Sequence, residues 1–559
     1  MKCFFKKKFL LPYIFILTIS FLTCFRLFRS GYFSMQDDVH IFRLQQFDQC
    51  IKDLQIPCRF ISNGGFGYGY PLFNFYPPFV YIIAETFHLF GLSLINSIKL
   101  TFVLGHLSAG IGIFLFSKLF WGQKGALLST ILYLFAPYRA VDGYVRGALA
   151  EFFALSLLPF VFWSITKYLQ KSSKKNLLVS TILLSSLFLC HNLISLVTIP
   201  ILILYIFFYQ KQIRFKLFLP IFLSLGLSSF FIIPALLEKK LVTIQTMTQG
   251  YFNYEAHFTT LKQLFFSHDW GFGASLWGPI DDMSFQIGYI HWLVPLICFI
   301  LFLLKTNKKP IKNIPILIFF ALLSLISLFL THPRSIFIWK LFPFMAYFQF
   351  PWRFLGIAIF SLSFISASLI SLIPKNQRQL WLILISTATI ILNIKYFKED
   401  IWYSNLTDKD KLNKQEIIRQ SGAGLKDYWP NSGNQFPPEF APPKPFSLDK
   451  ITLNSFNKTS NRADISITVD SEFATITFPM VYFPNWQIYN QNNQKLPITI
   501  TPDLGLIQLK LPKGDHTLTL KLKNTPIRTV ANTISIITLL TLLVILNPIS
   551  RTKDLLTNR

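Results

Sequence analysis

The chain has 559 residues, of which 52% are hydrophobic and only 14% charged, with a formal net charge of +27. Soluble domains carry about 25% charged residues. That deficit excludes a soluble enzyme, and the apolar content excludes disorder. Six cysteines over this length do not make a disulfide scaffold, and the 61 phenylalanines suit a lipid-facing protein.

A membrane-spanning helix needs about 20 apolar residues. Runs of this kind lie near 9–29, 98–119, 125–137, 148–169, 176–191, 193–209, 217–237, 288–305, 314–330, 353–373, 380–396 and 528–549. The expected fold is therefore a mainly α, polytopic membrane protein with about twelve transmembrane helices. The first run follows Lys6-Lys7-Lys8, has no small-residue cleavage site and is succeeded by Arg26 and Arg29. It reads as an uncleaved signal anchor over 1–29. The stretch 79–95 contains Glu85 and His88, is only moderately apolar, and reads as an interfacial or re-entrant helix.

The first outer loop, 30–97, opens with Gln36-Asp37-Asp38-Val39-His40-Ile41-Phe42-Arg43. Two adjacent acids stand just past a membrane exit. One reading is a solvated helix start with Asp37 or Asp38 as N-cap. The other is a carboxylate serving as general base or holding a divalent cation, with His40 and Arg43 toward substrate. The segment from Asn63 to Pro78 interleaves glycines with aromatics, Tyr70 among them, which suits sugar stacking or an interfacial belt. It has neither a dinucleotide fingerprint nor Walker spacing. Cys50 and Cys58 share this loop and are candidates for a disulfide.

Within 98–396 a second cluster runs from Pro137 to Glu151 and brings Arg139, Arg146 and Glu151 to the end of a span. Charges at mid-bilayer cost about 2.5–3.5 kcal/mol on insertion scales. This pattern is either an Arg146–Glu151 pair or interfacial snorkelling, or an arginine fork for phosphate. His191-Asn192 ends another span, and Phe350-Pro351-Trp352-Arg353 enters one. Residues 397–527 form a separate unit with a Pro-rich linker from Trp429 to Pro445. Period-two runs follow at 463–469, 474–478, 498–500, 506–511 and 516–522. They read as a small β-sandwich, with Lys513-Gly514-Asp515 as a hairpin turn. The last span and a tail fill 528–559.

With the N-terminus inside, the inner loops and the tail from 550 hold 22 Lys and Arg, and Asp554 is their only acid. All twelve acids before residue 396 then fall on or near the outer face. This is the positive-inside pattern. It accounts for the basic balance without a nucleic-acid partner. Both termini are expected in the cytoplasm, with the loops and the β unit outside the cell membrane.

Six groups in order carry a resemblance. They are Asp37-Asp38-Val39-His40 with Arg43; Gly67-Tyr68-Gly69-Tyr70-Pro71 with Phe75-Tyr76-Pro77-Pro78; Pro137-Tyr138-Arg139 through Arg146-Gly147 and Glu151; His191-Asn192; Gln349-Phe350-Pro351-Trp352-Arg353; and Tyr482-Phe483-Pro484-Asn485-Trp486 with Lys513-Gly514-Asp515-His516. The chain resembles the bacterial membrane proteins labelled 6-pyruvoyl-tetrahydropterin synthase-related. That label implies no pterin chemistry here, since those synthases are soluble enzymes with a histidine-bound zinc, and the nine scattered histidines offer no such site. The architecture is similar to the GT-C membrane glycosyltransferases, which implies polyprenyl-phosphate sugar donors and a catalytic or metal-binding acid at Asp37 or Asp38.

The leading expectation is a GT-C-type glycosyltransferase acting at the outer face on an envelope glycan, lipid or protein acceptor. Asp37 or Asp38 is the base. Arg139, Arg146, Arg353 or a Mg²⁺ or Mn²⁺ ion at Asp37 and Asp38 neutralises the leaving phosphate. Tyr70, Glu151, His191 and Asn192 complete the substrate-binding set. The alternatives are a flippase or transporter of lipid-linked substrates, and a non-catalytic envelope assembly protein.

Overall fold

The computed structural model describes residues 2–278, 280–305 and 313–546, and most of them are helical. Among the described residues seven helices are long and apolar enough to cross a membrane: Leu94–Leu134, Leu149–Gln170, Asn192–Tyr209, Ile314–Thr331, Pro351–Leu372, Arg378–Tyr396 and Pro526–Ile545. Phe215–Leu227 and Ser229–Leu237 meet at 72° and add an eighth if the pair is one span. Leu11–Leu22, Phe79–Leu89 and Tyr289–Leu304 are shorter apolar helices.

Length and apolarity thus support seven or eight spans where about twelve are expected. The runs at 98–119 and 125–137 are the two arms of the helical stretch Leu94–Leu134, which Gly122 breaks with φ 68° and ψ −174°, and the arms lie side by side, with Ser117 Oγ donating to Ser129 Oγ at 2.9 Å. The run at 176–191 yields a fifteen-residue helix, Lys174–Phe188, and that at 217–237 is the bent pair. Phe79–Leu89 has eleven residues, about 16 Å at 1.5 Å per residue, against a hydrocarbon core of about 30 Å. It is too short to span. The tail from 550 and most of the basic loop 305–313 lie outside the described residues.

The spans share a polarity along their length. Leu149–Gln170 carries Glu151 in its first turn and Lys167 in its last. Asn192–Tyr209 starts at His191 and is followed by Lys211 and Arg214. Pro351–Leu372 starts beside Arg353 and is followed by Lys375 and Arg378. One end of the bundle is basic, and the other gathers the acids. Phenylalanine does more than face lipid. Phe116, Phe162, Phe320, Phe360 and Phe364 are buried where four spans meet. Their centroid separations include 4.7 Å for Phe116–Phe364 and 4.4 Å for Phe320–Phe364. Such ring pairs contribute about 0.5–1.5 kcal/mol each beyond their area, which holds helices together where lipid removes any hydrophobic drive between them.

On the acidic side, β1 (Tyr32–Phe33) pairs antiparallel with β2 (Trp402–Tyr403). The C-terminal strands are β3 (Ile451–Lys458), β4 (Arg462–Val481), β5 (Trp486–Asn490), β6 (Lys495–Leu496), β7 (Thr499–Ile500) and β8 (Leu506–Leu522). They form one six-stranded antiparallel sheet in the order β3-β4-β8-β5-β6, with β7 on β8, where a small sandwich is expected. Lys513-Gly514-Asp515 is no hairpin turn. Gly514 sits inside β8 opposite Val469. The two shorter runs expected on each side are single long strands, interrupted by irregular register between Val469 and Phe473 and between Thr477 and Val481. Bulges of this kind bend a strand without ending it. Ala463, Ile465, Ile467 and Val469 alternate onto the buried face, with Leu518 and Leu520 on the partner strand.

The sheet docks on the first outer loop. The Trp486 ring lies edge-on to Phe60 at 5.7 Å, and Val481 N–H donates to Tyr68 O at 3.0 Å. A fully buried ion pair fastens the last helix to the same side. Arg528 Nε donates to Glu238 Oε2 at 2.9 Å, and that oxygen also accepts from Asn74 Nδ2 at 2.9 Å. Asn74 Oδ1 in turn accepts from Arg59 at 3.0 Å.

Candidate functional site

The site is assembled at the acidic end from four segments. Gln36 and Asp37 donate their backbone N–H groups to Val145 O and Arg146 O, at 3.1 and 2.8 Å. The loop carrying the two acids is thereby laid along the turn that carries Arg146. Residues Val141–Val145 form a π-helical turn in which Arg146 N–H reaches back to Val141 O at 2.8 Å. Turns of this kind recur at functional sites because they re-aim the side chains that follow. Gly147 comes next with φ +63°, and a Cβ there would strike Met35. Its carbonyl accepts from His40 Nε2 at 2.6 Å, while His40 Nδ1 meets Tyr81 OH at 3.0 Å. His40 is therefore a strut between the two segments. Burial holds its pKa below the usual value, so it is neutral.

The adjacent acids have different environments. Asp38 Oδ2 receives Lys411 Nζ at 2.6 Å and Arg419 Nη2 at 2.9 Å. It is committed to an ion cluster with the segment 408–422. Asp37 is exposed, and its carboxylate makes no hydrogen bond or ion pair among the described residues. Neither caps the helix His40–Lys52, whose N-cap is Val39 with no side-chain bond. The N-cap reading is therefore corrected.

Beside Asp37 lies a buried charge network. Glu151 Oε2 accepts from Arg146 Nη1 at 2.9 Å and Arg353 Nε at 3.1 Å, and its Oε1 accepts from Tyr138 OH at 3.0 Å. Arg146 also pairs with Asp142 and lies over the Trp352 ring at 4.7 Å. Burial, with Glu151 next, pushes the Asp142 carboxyl well above its ordinary range. Arg139 is fully buried, donates to Ser156 Oγ at 3.1 Å, and rests on the Tyr133 and Phe152 rings with no carboxylate in ion-pair range. Arg139, Arg146 and Arg353 stand against the two carboxyl groups of Asp142 and Glu151. The network has a positive excess suited to an anion.

Arg353 continues outward. Its Nη1 donates to Phe348 O at 2.8 Å and to Gln349 Oε1 at 3.0 Å, leaving Nη2 without a protein partner among the described residues. It borders a narrow apolar crevice of about 10 Å³, lined by Leu193, Val197, Phe348, Phe354 and Ile357, between Asn192–Tyr209 and the start of Leu355–Ser366, with room for one water at most. His191 caps the first of these helices, its Nδ1 accepting from Ile194 N–H at 3.2 Å. Burial holds its pKa down to about 4, so the ring is neutral. Asn192 Nδ2 donates to Phe75 O at 3.0 Å, a bond that ties two loops together.

Arg43 and Tyr70 stand apart from the network. The Arg43 guanidinium lies over the Tyr76 ring at 4.4 Å, and Tyr70 exchanges backbone bonds with Ile61. Sequence reasoning passed over Asp142, whose i, i+4 spacing to Arg146 was a readable signal. It also passed over Lys411 and Arg419, which are more than 370 residues from Asp38 and left none. Cys50 and Cys58 form a disulfide with Cα atoms 5.5 Å apart. Among the described residues no group of three or more His, Cys, Asp and Glu is placed to hold a metal ion.

Comparisons with known proteins bear on the same regions. An uncharacterized protein of Lactococcus lactis subsp. cremoris (strain MG1363) is 24% identical over 347 residues, which cover 59% of this chain and 54% of that protein. The chain thus spans about half the length of this relative. The crystal structure of ArnT from Cupriavidus metallidurans bound to undecaprenyl phosphate aligns over 75% of this chain and 77% of that one, at 9% identity and a TM-score of 0.40. A family model described as "6-pyruvoyl-tetrahydropterin synthase related domain; membrane protein" matches residues 73–398, from just before the helix Phe79–Leu89 through the Glu151 and Arg353 network, and the chain belongs to that family of membrane proteins.

Proposed function

We propose that the protein is an integral membrane glycosyltransferase that moves a sugar from a polyprenyl-phosphate donor to a hydroxyl of an envelope acceptor at the acidic, extracytoplasmic end of the bundle. One observation carries this reading. An exposed carboxylate, Asp37, is backbone-bonded to the segment that holds a positive arginine network, and the outermost arginine of that network, Arg353, keeps Nη2 without a protein partner among the described residues. A lipid phosphate whose chain stays in the bilayer needs these features together: arginine forks for its phosphate at the end of a span, and a base facing water for the acceptor.

In the proposed step Asp37 takes the proton of the acceptor hydroxyl as its oxygen bonds to the anomeric carbon. The bond from that carbon to the phosphate oxygen breaks, and the electron pair leaves with the polyprenyl phosphate. A single displacement inverts the anomeric centre. Arg353 and Arg146 stabilise the departing phosphate, and Glu151 keeps both guanidinium groups aimed.

The transporter reading draws on broken helices, and the bent pair at 215–237 is one. Its break is satisfied from within: Phe230 N–H donates to Ser535 Oγ at 2.8 Å, and that hydroxyl donates to Gly226 O at 3.2 Å. No substrate group is needed there. The test is to incubate the purified protein in lipid with a panel of polyprenyl-phosphate sugars and mixed hydroxyl acceptors, and to follow released polyprenyl phosphate by mass spectrometry. Sugar-dependent release that is lost in Asp37→Asn and Arg353→Gln supports the proposal. Full release by Asp37→Asn refutes the role of Asp37.

A further inference from the structure

A second cavity, of about 240 Å³, lies away from the arginine network, where the Pro-rich linker and the β sheet close over the glycine-rich part of the first outer loop. Phe440, Phe456, Pro442 and Pro479 provide its apolar walls, and Asn63 and Lys458 its polar groups. Lys458 Nζ donates to Gly67 O at 2.7 Å and makes no ion pair among the described residues. A half-buried ammonium with one carbonyl partner keeps two donors for a ligand and has no counter-charge of its own. Burial lowers its pKa to about 8, which leaves it mostly charged at neutral pH.

The cavity is built rather than incidental. Gly67 has φ +84°, and a Cβ there would come within 2.7 Å of the Phe440 ring. Ala441 N–H donates to Phe66 O at 2.7 Å and pins the linker beside it. Only glycine lets the loop pass close enough to the phenyl ring to bring its carbonyl to Lys458. The volume falls below the range of drug-sized sites, about 300–1,000 Å³, and fits one ring. Two phenyl walls suit the C–H face of a pyranose, an amide suits its hydroxyls, and an unpaired ammonium suits an acidic substituent.

We propose that this cavity binds a single sugar ring bearing a carboxylate or a phosphate. As the acceptor's docking point this rests on the transferase reading; as a binding site it does not. The helix Lys414–Gly422 links it to Asp38, the chain neighbour of Asp37. Arg419 of that helix pairs with Asp38, and a Cβ on Gly422 would lie 2.9 Å from the ring of Phe66, next to Gly67.

The experiment is saturation-transfer NMR on the full-length protein in lipid nanodiscs, with glucuronate, glucose 6-phosphate and glucose as separate probes. Signal from one or both anions, about tenfold weaker for glucose and in Lys458→Gln and unchanged in Asp37→Asn, is expected from the loss of one charged hydrogen bond. The responding anion identifies the substituent as carboxylate or phosphate. Equal signals from glucose, signals that persist in Lys458→Gln, or silence from both anions overturn the proposal. If Lys458→Gln does not fold, Phe440→Ala replaces it, since that ring is 37% exposed and its loss removes a wall but not the fold. Anion binding without polyprenyl phosphate release would leave the site standing and remove its acceptor role.

Discussion

Asp37 and Asp38 are neighbours in the chain, and the structure gives them opposite stability signatures. Asp38→Asn removes the charge that accepts from Lys411 at 2.6 Å and Arg419 at 2.9 Å. Hydrogen bonds to charged groups contribute about 1.5–3 kcal/mol each, and stripping one partner from a buried pair costs about 3–5 kcal/mol. Two facts lower the figure here. Asp38 keeps 19% of its side chain exposed, and Glu416 still stands 3.7 Å from Lys411 and 2.8 Å from Arg419. The expected loss is about 1–3 kcal/mol. Asp37→Asn touches an exposed carboxylate without a partner and is expected to change stability by less than about 0.5 kcal/mol. The measurement is thermal unfolding of both variants in detergent, paired with the release assay. Asp37→Asn should abolish release with an unmoved midpoint, whereas Asp38→Asn should lower the midpoint. The double variant Asp38→Asn/Lys411→Met tests the coupling, expected at about 1–2 kcal/mol. Equal destabilisation by the two single variants would refute the reasoning. So would an Asp38→Asn protein of normal stability that alone loses release.

The buried staple predicts that Arg528→Met costs about 3–5 kcal/mol by stranding Glu238, and that the double variant Arg528→Met/Glu238→Gln recovers most of it in the same unfolding assay. Burial pushes the Asp427 carboxyl up to about 6, against the pull of Arg43. A raised carboxyl contributes stability while protonated, below its ordinary 3.8, and loses it as pH rises through about 6. The wild-type midpoint should therefore fall relative to Asp427→Asn between pH 4 and 6 and run parallel above it. Replacing Cys50 and Cys58 together by serine opens a loop of sequence separation 8 and should cost about 2–3 kcal/mol on the chain-entropy account. Alkylation with and without reductant, read by mass spectrometry, checks that the pair is formed.

The membrane class was legible because apolar content and charge asymmetry are properties of long segments, over which local errors average out. The span count was less so, because hydropathy does not register a bend inside a run. The 72° bend falls between Leu227 and Ser229, inside one run, whereas the break at Gly122 falls between two runs that the sequence already keeps apart. The alternation in the β unit correctly marked the strands. It overcounted them because Lys513-Gly514-Asp515 has turn composition, yet Gly514 is held in register with Val469 by a long partner strand. At the site, the Arg146–Glu151 pair lay within five residues and was readable. The distinction between Asp37 and Asp38 was not. It depends on Lys411 and Arg419, which reach Asp38 only through the folding of the whole outer face. Sequence spacing finds partners on one helix and misses those that tertiary packing supplies.

The proposed chemistry depends on sidedness, and two observations make this testable without an activity. The Cys50–Cys58 disulfide lies in the loop that carries Asp37 and Asp38, and disulfides persist in oxidising compartments. Several spans run from that end to clusters of Lys and Arg, the bias expected of cytoplasmic loops. Lys409, in the segment that holds Asp38, and Lys375, just past the helix that Arg353 opens, are both exposed and belong to opposite ends of the bundle. Lys409→Cys should react with a membrane-impermeant maleimide in intact cells. Lys375→Cys should react only after the membrane is opened. Among the described residues the free cysteines Cys24, Cys190 and Cys298 are buried and contribute little background, and Cys3 is replaced by serine in both variants. Labelling of both positions from outside would mean that the bundle does not separate them. Labelling of Lys375→Cys alone would put Asp37 in the cytoplasm, where a polyprenyl-phosphate sugar could still be used but the acceptor could not be an envelope polymer on the outer face. Only the pattern with Lys409→Cys outside and Lys375→Cys inside places the open carboxylate and the arginine network at the leaflet where the proposed reaction needs them.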